Sequence, residues 1–416
     1  MPKKLLLFDL ATYGHHPSYI RCLLEYFSQQ SWDLELEFIV SRHFFQKHKD
    51  VVQFGLANQI NFTQITVAEQ ERFDTAKSQL GSDFFELLRS PQANSAFEIE
   101  FDLLYDYAQE LKATSALCLY LDDGRLISAA KAKFPCPFSG IYFTPQFHYP
   151  QFQNHSLDRI RQAYYLQQKL VIARFLRHPQ LHRLFCLDFF ATEQIQAKYK
   201  TDKVVYLPDP VRNQKLDLSK DKQLKSSLNI EPKRKILLLF GSLAKRKGIY
   251  QVLQAILCLS PAECEKICLL LVGKAEPHFD LELLKIRVAW VREKKPVQII
   301  EKYEFIADSE VLSYFQLADI VLAAYHRHAG MSGILFLAAI ARKPVLSSNF
   351  GLMGEITRRH ELGITVDTSI PEAVAEGLKC CLNRPPESLC NYTKMQELVA
   401  QHSPEKFAKI LLNSSI

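Results

Sequence analysis

The sequence predicts two α/β domains in tandem, each built on a parallel sheet that helices cover on both faces. Three observations carry this prediction. Short apolar runs alternate with longer amphipathic segments along the 416 residues. Most of these runs are apolar throughout, which is typical of strands buried on both faces. The chain is also longer than one ordinary domain, so two domains are expected.

The predicted strands fall into two sets, separated by a polar and charged stretch that begins with two prolines after Leu207 and indicates an interdomain connection. The first set is KLLLFDL, LELEFIV, ALCLYL, SGIYF, LFCLDFF and KVVYL, and the second is KILLLF, KICLLLV, VQIIE, DIVLAAY and PVLSS. Two Rossmann-like domains are the simplest account. We expect the first over residues 1–207 and the second over 208–384.

Composition excludes several classes of protein. An apolar content of 48% with 23% charged residues is typical of a globular chain. The net charge of +6 comes without a nucleic-acid-binding motif, so we expect no nucleic-acid partner. The start MPKKLLLFDLA is like a signal peptide, but Asp9 interrupts its apolar run. Ten cysteines lack metal-site spacing, and several lie in apolar runs, which predicts reduced thiols in a cytoplasmic protein without a metal site.

Open parallel sheets bind ligands at the carboxyl ends of their strands. In the second half this rule selects FGSLAKRKG, where Gly241 and Ser242 follow a strand and Lys245, Arg246 and Lys247 precede a helix. Basic side chains and helix N–H groups would converge there on a diphosphate. A solvated basic loop is the alternative interpretation.

A second strand end in this half carries YHRHAGMSGILFLAAIARKP. The turn with His326, Arg327 and His328 precedes eight apolar residues, 334–341, without a polar stripe. A surface helix would have such a stripe, so the helix is predicted to be buried. Its N-terminus offers free N–H groups to an anion.

In the first half, the strand-end rule selects three stretches. Gly14, His15 and His16 follow the first strand and could bind a phosphate or orient an acceptor; a capping loop with exposed histidines is the alternative. His148 follows a later strand, where an ordinary loop histidine is also expected. Asp122 and Asp123 could do acid–base work, but DDG is also a plain turn.

Residues 158–185 form a basic segment, with one acidic residue against six Lys or Arg, interleaved with Tyr, Phe and Leu. Such a segment can lie on an anionic membrane surface. A helix that packs within its domain and has a solvated basic face is the alternative.

Over Lys235–Glu355 the chain resembles the family 4 glycosyltransferases, which have the GT-B fold. FGSLAKRKG is similar to the family's G-R-L-x-x-x-K-G turn, and LADIVLAAYHRHAGMSGILFLAAIARKPVLSSNFGLMGEI is similar to its donor-site stretch. The resemblance implies two parallel sheets facing across a cleft and a C-terminal segment, 385–416, that returns to the first domain. It also implies transfer of a sugar from a nucleotide diphosphate to an acceptor with retention.

The resemblance assigns roles to residues. Lys247 would contact the diphosphate together with the amides of the Gly330–Gly333 turn, and Gly14 would lie where the acceptor and diphosphate approach the first domain. The expected catalytic residues are Lys247, His148 and His16. The expected donor-binding residues are Gly14, His15, Gly241, Ser242, Arg246, Lys247, Arg327, Gly330, Met331, Ser332 and Gly333. The nucleotide sugar is the donor substrate, and no separate cofactor or metal is expected.

The chain departs from the family at three positions. The two family glutamates fall on Ala329 and Leu337, and the family arginine falls on Ser242. Arg246 or Arg327 could replace the lost guanidinium. A GT-B-shaped binding or scaffold protein without transferase activity is therefore a competing prediction, and a sugar-nucleotide epimerase is a third, although it normally needs carboxylates that have no evident position here.

Overall fold

A computed structural model describes residues 3–78, 91–122, 124–152, 159–211 and 224–415. Asp123, residues 212–223 of the predicted connection and Asp158 of the basic segment lie outside the described residues. The chain divides into two compact units. One consists of Met1–His148, Leu157–Pro210 and Ser403–Ile416, and the other of Tyr149–Ser156 and Val211–His402.

The first unit contains a seven-stranded parallel sheet in the order β3-β2-β1-β4-β5-β6-β7. Its strands are β1 (Lys3–Asp9), β2 (Leu34–Val40), β3 (Asn61–Gln64), β4 (Ser115–Cys118), β5 (Phe138–Tyr142), β6 (Leu181–Cys186) and β7 (Val204–Tyr206). The interior strand β1 buries Leu5, Leu6 and Leu7 completely. Because successive side chains point to opposite faces, β1 is covered on both.

Helices cover this sheet on both faces, and two separate apolar cores result. The helices are α1 (His16–Ser28), α2 (Arg42–Lys47), α3 (Lys49–Ala57), α4 (Val67–Ser78), α5 (Pro91–Glu110), α6 (Gly124–Ala129), α7 (Arg159–Phe175) and α8 (Phe189–Tyr199). A 3-10 helix spans Gln146–Phe152.

The second unit contains a six-stranded parallel sheet in the order β10-β9-β8-β11-β12-β13. The strands are β8 (Lys235–Phe240), β9 (Ile267–Val272), β10 (Gln298–Lys302), β11 (Ile320–Ala323), β12 (Val345–Ser348) and β13 (Gly363–Val366). The helices are α9 (Ile249–Cys258), α10 (Pro261–Cys264), α11 (Leu281–Lys294), α12 (Asp308–Leu317), α13 (Ile334–Ile340), α14 (Gly351–Arg359), α15 (Pro371–Asn383) and α16 (Tyr392–Gln401). Two parallel α/β sheets confirm the predicted fold class.

The order of the strands positions the candidate sites. In the first sheet β1 lies between β2 and β4, and in the second β8 lies between β9 and β11. The strand order reverses at both places, and such a reversal opens a crevice at the carboxyl ends of the two strands. The loops after β1 and β4 therefore meet in one unit, and the loops after β8 and β11 meet in the other.

The C-terminal segment divides between the units. α16 is in the second, whereas the last helix, α17 (Pro404–Ser414), is in the first, where Phe407 packs on Tyr19 of α1 with 4.6 Å between ring centroids. Only part of the predicted segment 385–416 therefore belongs to the first unit. In the ranges that the structure describes, no helix combines the length and apolar character needed to cross a membrane.

Candidate functional sites at the strand ends

The basic loop after β8 is held against the end of β11. A 3-10 turn, Lys245–Lys247, ends at Gly248, whose φ is +73°. A Cβ atom at this position would lie 1.8 Å from the carbonyl oxygen of Ala324. Only glycine permits both this conformation and this approach, so Gly248 brings the loop and the start of α9 close to the residues that follow β11.

Lys247 is the buried member of the basic loop. Its side chain turns back to the strand end, where Nζ donates to the carbonyl oxygen of Phe240 at 2.9 Å. It also lies 4.9 Å above the ring centroid of Tyr325. Lys247 is only 7% exposed, whereas Lys245 and Arg246 are exposed. A solvated basic loop therefore describes the other two residues and not Lys247.

Arg246 links this loop to the turn after β11. Its guanidinium lies 5.9 Å from the Tyr325 ring centroid and pairs with Glu276 at 3.0 Å. Its carbonyl oxygen accepts from the backbone N–H of His326 at 2.9 Å. Both Arg246 and Glu276 are substantially exposed, so solvent screens their pairing. Ser242, at the family's arginine position, is exposed beside half-buried Gly241.

The turn from His326 to Gly333 is organised around the buried ring of Tyr325. The Tyr325 hydroxyl hydrogen-bonds the Ser332 hydroxyl at 2.7 Å, and the His328 ring lies 5.2 Å from the Tyr325 ring. Among the described residues, no acceptor is recorded for the backbone N–H groups from Gly330 to Gly333, with Met331 and Ser332 between them. These amides are therefore available to an external anion.

The pKa of His328 is lowered by burial and by the positive charge of the basic loop. Burial lowers its pKa, and the charges of Arg246 and then Lys247 lower it further, against a hydrogen bond with the Met331 backbone that raises it. The charges identified as acting on this imidazole are therefore both cations. A site with this electrostatic environment favours a bound anion.

Arg327 and His326 occupy different surroundings. Arg327 has a left-handed backbone, φ +50°, and an exposed side chain. His326 is half-buried, with Nδ1 3.3 Å from the carbonyl oxygen of Thr368. Of the two arginines considered as replacements, Arg246 is the one beside Tyr325 and His328.

Helix α13 is buried along its first turn, as the sequence predicts. Ile334, Leu335 and Phe336 are buried, and Leu337 is half-buried. Ala329 is also half-buried, and its carbonyl oxygen accepts from the N–H of Leu352 at 2.9 Å. The two positions of the family glutamates are therefore partly accessible.

The first unit has a cavity of about 330 Å³ at the carboxyl ends of β1 and β4. Most of its lining is apolar or aromatic, including Phe8, Leu10, Tyr13, Phe101, Tyr120 and Phe143. Gly14, His15 and His16 also line it. The cavity therefore includes the loop that the sequence selected after the first strand.

Two pairs of polar side chains line this cavity. Nδ1 of His16 lies 2.6 Å from Oδ2 of Asp9, the last residue of β1. Arg125 binds Glu100 through two atoms, Nε to Oε2 at 2.6 Å and Nη2 to Oε1 at 2.7 Å. Burial lowers the pKa of Arg125, but the charge and the hydrogen bond of Glu100, together with Tyr120 and Asp9, outweigh burial, and the pKa is raised.

Asp122 has a structural role in the loop after β5. Its carboxylate accepts from the N–H groups of Phe143 at 2.7 Å and Thr144 at 3.1 Å, and from the Thr144 hydroxyl. Burial raises its pKa, while these hydrogen bonds lower it. The carboxylate thus anchors the Phe143–Thr144 segment, which a plain surface turn does not require.

His15 and His148 differ in exposure. His15 is exposed and stacks on Tyr19 with 5.8 Å between ring centroids. The Tyr19 hydroxyl donates to the buried carboxyl of Asp209. Burial raises the pKa of Asp209, and the charge of His15 lowers it. The His148 side chain is 0% exposed, with Nδ1 2.6 Å from the carbonyl oxygen of Pro145 and Nε2 3.0 Å from Oδ2 of Asp188. Both His148 nitrogens face protein acceptors, so the ring supports the loop here.

Asp9, Arg125 and Tyr325 lie in strand-end stretches that the sequence selects, but sequence reasoning assigned none of them a role, and it missed Glu100 altogether. The signal for Asp9 and Tyr325 is their position, because Asp9 ends β1 and Tyr325 follows β11 by two residues. Glu100 has no such signal, since it lies in the middle of α5 and reaches Arg125 only through the fold.

Comparisons with known proteins agree with this architecture. Residues 234–384 match the family model described as "Glycosyl transferases group 1". No curated protein gives a significant sequence match. The Anabaena protein Alr3699/HepE in complex with UDP is 12% identical, with a TM-score of 0.66 and coverage of 99% of each chain.

Two further solved structures have the same fold. Sucrose-phosphate synthase from Thermosynechococcus elongatus is 14% identical, with a TM-score of 0.65 and coverage of 99% of this chain and 98% of that one. A glycosyltransferase from Rickettsia africae is 14% identical, with a TM-score of 0.64 and coverage of 99% and 97%. The chain therefore has the GT-B fold, and its residues 234–384 are similar to a group 1 glycosyltransferase domain.

Proposed function

We propose that this chain transfers a sugar from a nucleotide-diphosphate sugar to an acceptor. The observation that carries the proposal is the anion site of the second unit. The Tyr325 ring is surrounded by the buried Lys247, the exposed Arg246 and the half-buried His328. The Gly330–Gly333 amides follow Tyr325 in the same turn. This site lies within the residues that match the glycosyltransferase model.

The chemistry follows from the charges. When the bond between the sugar and the diphosphate breaks, negative charge increases on the leaving nucleotide. A preorganised ammonium and backbone N–H groups stabilise that charge more than they stabilise the bound donor, which lowers the barrier. Lys247 has the position for this role because its Nζ is already fixed at the strand end.

The proposal includes retention at the anomeric carbon and a uridine nucleotide as the first donor to test. Retention is what the resemblance to family 4 implies. The uridine base is suggested by the related Anabaena structure, which contains UDP. Leu337 cannot accept a hydrogen bond from a ribose hydroxyl, so we expect the diphosphate to contribute more of the binding energy than the nucleoside.

A second candidate is a GT-B-shaped protein that binds nucleotides without transferring sugar. Ala329 and Leu337, which replace two family glutamates, favour it. Calorimetry with UDP, ADP, GDP and their sugars, followed by a turnover assay on the best ligand, separates the candidates. Binding with transfer supports the transferase, with proton NMR assigning the product anomer. Binding without transfer favours the second candidate, and no binding contradicts both.

We also propose peripheral membrane contact through α7. Leu166 and Leu170 are 60% and 64% exposed on this helix. Arg174 in its last turn and Arg177, two residues after its end, are exposed. Exposed leucines beside basic side chains suit an anionic lipid surface. The opposite side of α7 packs in its own unit through Ile172 and Phe175, so both predicted roles of this segment are compatible.

A further inference from the structure

We propose that the exposed face of α11 pairs with the same face of a second copy of this chain, so that two α11 helices lie parallel across a two-fold axis. The inference goes beyond the proposed function and does not depend on it. It assigns an interaction surface to the second unit, on a helix that contributes no residue to the anion site.

The surface is an apolar stripe along one face of α11. Leu283, Ile286 and Trp290 are 39%, 65% and 43% exposed. Their spacing of three and then four residues places them on one side of a helix with about 3.6 residues per turn. No ring contact is recorded for Trp290 among the described residues, whereas the other tryptophan, Trp32, stacks on Phe27. Exposed large apolar side chains that lie together are typical of an interaction surface.

α11 does not use this stripe to pack in its own unit. Its buried side chains are Leu284, Val288 and Val291, which belong to the core of the second unit. On a helical projection these residues and the stripe lie on opposite sides of α11. A second copy can therefore approach the stripe from the solvent side of the helix.

Charged side chains border the stripe, with opposite signs on its two edges. Glu282 and Glu293 lie along one edge, and all the charged residues of both edges are exposed. Arg287 and Lys294 lie along the other edge. The pairings of Glu282 with Lys285 and of Glu293 with Lys294 are exposed and screened by solvent. In the described part of the chain no ion pair is recorded for Arg287, so these charges are available to another molecule.

The two possible directions of a helix pair treat these edges differently. In an antiparallel pair, a two-fold axis perpendicular to the helices brings like edges together, with carboxylates against carboxylates. In a parallel pair, an axis along the helices brings the acidic edge of one copy against the basic edge of the other. Glu282 precedes Leu283 and Arg287 follows Ile286, which is the spacing of the charged pairs that flank a parallel two-stranded coiled coil. The charges therefore favour the parallel arrangement.

A lipid surface fits this stripe less well than it fits α7. The sequence of α7 contains no acidic residue, whereas α11 has carboxylates at the border of its apolar stripe. An anionic membrane would repel these carboxylates. A second copy of the chain offers each acidic edge a basic edge, so the stripe is complementary to itself.

The length of the contact sets the expected affinity. α11 has 14 residues, so the paired helices would touch over about 21 Å. A contact of this size is smaller than a permanent interface, and we expect a dimer that dissociates in the micromolar range. Sedimentation velocity of the whole protein from about 1 to 100 μM should show a sedimentation coefficient that rises with concentration. Wild type that remains monomeric over this range would overturn the proposal.

Substitution in the stripe tests the surface. We expect Ile286→Ser to weaken self-association about tenfold or more, because each copy loses a buried isoleucine. Leu56→Ser is the matched control, since Leu56 lies on α3 and is 53% exposed. Melting temperatures show whether the variants are folded, and Trp290→Ala repeats the test if Ile286→Ser is not. Self-association equal to wild type would mean that the contact lies elsewhere. Unchanged self-association with weaker binding to anionic vesicles would assign the stripe to a lipid surface instead, and either result contradicts the proposal.

A charge exchange tests the pairing across the axis. Arg287→Glu should weaken the dimer several-fold at low salt, because two carboxylates then face each other at each edge. The double variant Glu282→Arg, Arg287→Glu brings opposite charges together again and should recover the association of wild type. A double variant as weak as Arg287→Glu would show that these residues do not meet.

Cross-linking tests the direction of the helices. In a parallel pair, residue 283 of one copy lies next to its counterpart in the other. We therefore expect Leu283→Cys, together with Cys258→Ser to remove an exposed thiol, to form a disulfide-linked dimer under mild oxidation. Lys285→Cys in the same background is the control, because Lys285 lies outside the stripe. No linked dimer with Leu283→Cys, or as much of it with the control, would exclude the parallel arrangement.

Discussion

The Nζ atom of Lys247 lies 2.9 Å from the carbonyl oxygen of Phe240, the last residue of β8. This hydrogen bond uses one of the three donors of the ammonium group and fixes the charge at the strand end. The nitrogen also lies 4.9 Å from the centroid of the Tyr325 ring. A phosphate bound there would meet a cation whose position is already determined, so little entropy is lost on binding.

Substitution of Lys247 tests this site. We expect Lys247→Met, which keeps much of the side-chain volume, to weaken UDP binding about ten- to a hundredfold, because a charge-assisted hydrogen bond contributes roughly 1.5–3 kcal/mol. Calorimetry measures the change. The exposed Lys245 provides the control, because Lys245→Met should have little effect on UDP affinity. Equal affinities for Lys247→Met and wild type would remove the lysine from the site.

The two arginines should differ in their contributions. Arg246 lies beside Tyr325 and exerts a charge effect on His328, whereas Arg327 is exposed on a left-handed turn. We therefore expect Arg246→Ala to weaken UDP binding several-fold and Arg327→Ala to weaken it less. Isothermal titration of both variants checks the order. A larger loss for Arg327→Ala would mean that the turn rearranges when the nucleotide binds.

Nucleotide affinity should depend on pH through His328. Its pKa in the free protein is lowered by burial and by Arg246, so the ring is neutral at pH 7. A bound diphosphate stabilises the imidazolium and raises that pKa. Binding therefore takes up a proton, and affinity should fall as pH rises from the lowered pKa of the free protein to the higher pKa of the complex.

UDP-glucose is the ligand for this measurement, because UDP has a terminal phosphate that itself titrates near pH 6. Titrations from pH 5 to 8 with wild type and His328→Asn separate the histidine from other groups. The variant should show a flatter profile. The same slope in both proteins would assign the pH dependence to another residue, with half-buried His326 as the next to substitute.

Restoring the family glutamates should be tolerated better than the sequence suggests. A carboxylate at position 337 is expected from the sequence to be buried and unpaired, but Leu337 and Ala329 are only half-buried. We expect the double variant Ala329→Glu, Leu337→Glu to lose about 1–3 kcal/mol of unfolding free energy. Chemical denaturation measures the loss, with Leu337→Gln as the uncharged control. Gained turnover of UDP-glucose would show that a ribose pocket is retained.

Membrane contact can be tested on α7. Replacing Leu166 and Leu170 by serine removes the exposed apolar surface without touching the buried side of the helix. We expect this variant to bind less to vesicles that contain anionic lipid, and wild type to bind less as salt rises. Vesicle sedimentation provides the readout. Wild-type protein that does not sediment with anionic vesicles would contradict the proposal.

Local patterns were sufficient for most of the fold. β1, β8 and β9 are buried on both faces, so their apolar runs stand out against the helices between them. The strands that the sequence did not predict are β3, with the residues NFTQ, and β13, with GITV. Both lie at the edge of a sheet and are partly exposed, so neither needs a continuous apolar run.

The sequence by itself determined the α/β class, the division into two sheets, and the strand ends where ligands are expected. The spacing of apolar residues and the position of a residue after a strand are both properties of neighbouring residues in the chain. The tertiary structure alone decided which side chains meet there. Asp9 reaches His16 across a turn, Glu100 reaches Arg125 from another helix, and Arg246 rather than Arg327 lies beside Tyr325. These pairings depend on the order in which parallel strands assemble and on how buried charges are neutralised, and neither is a property of neighbouring residues.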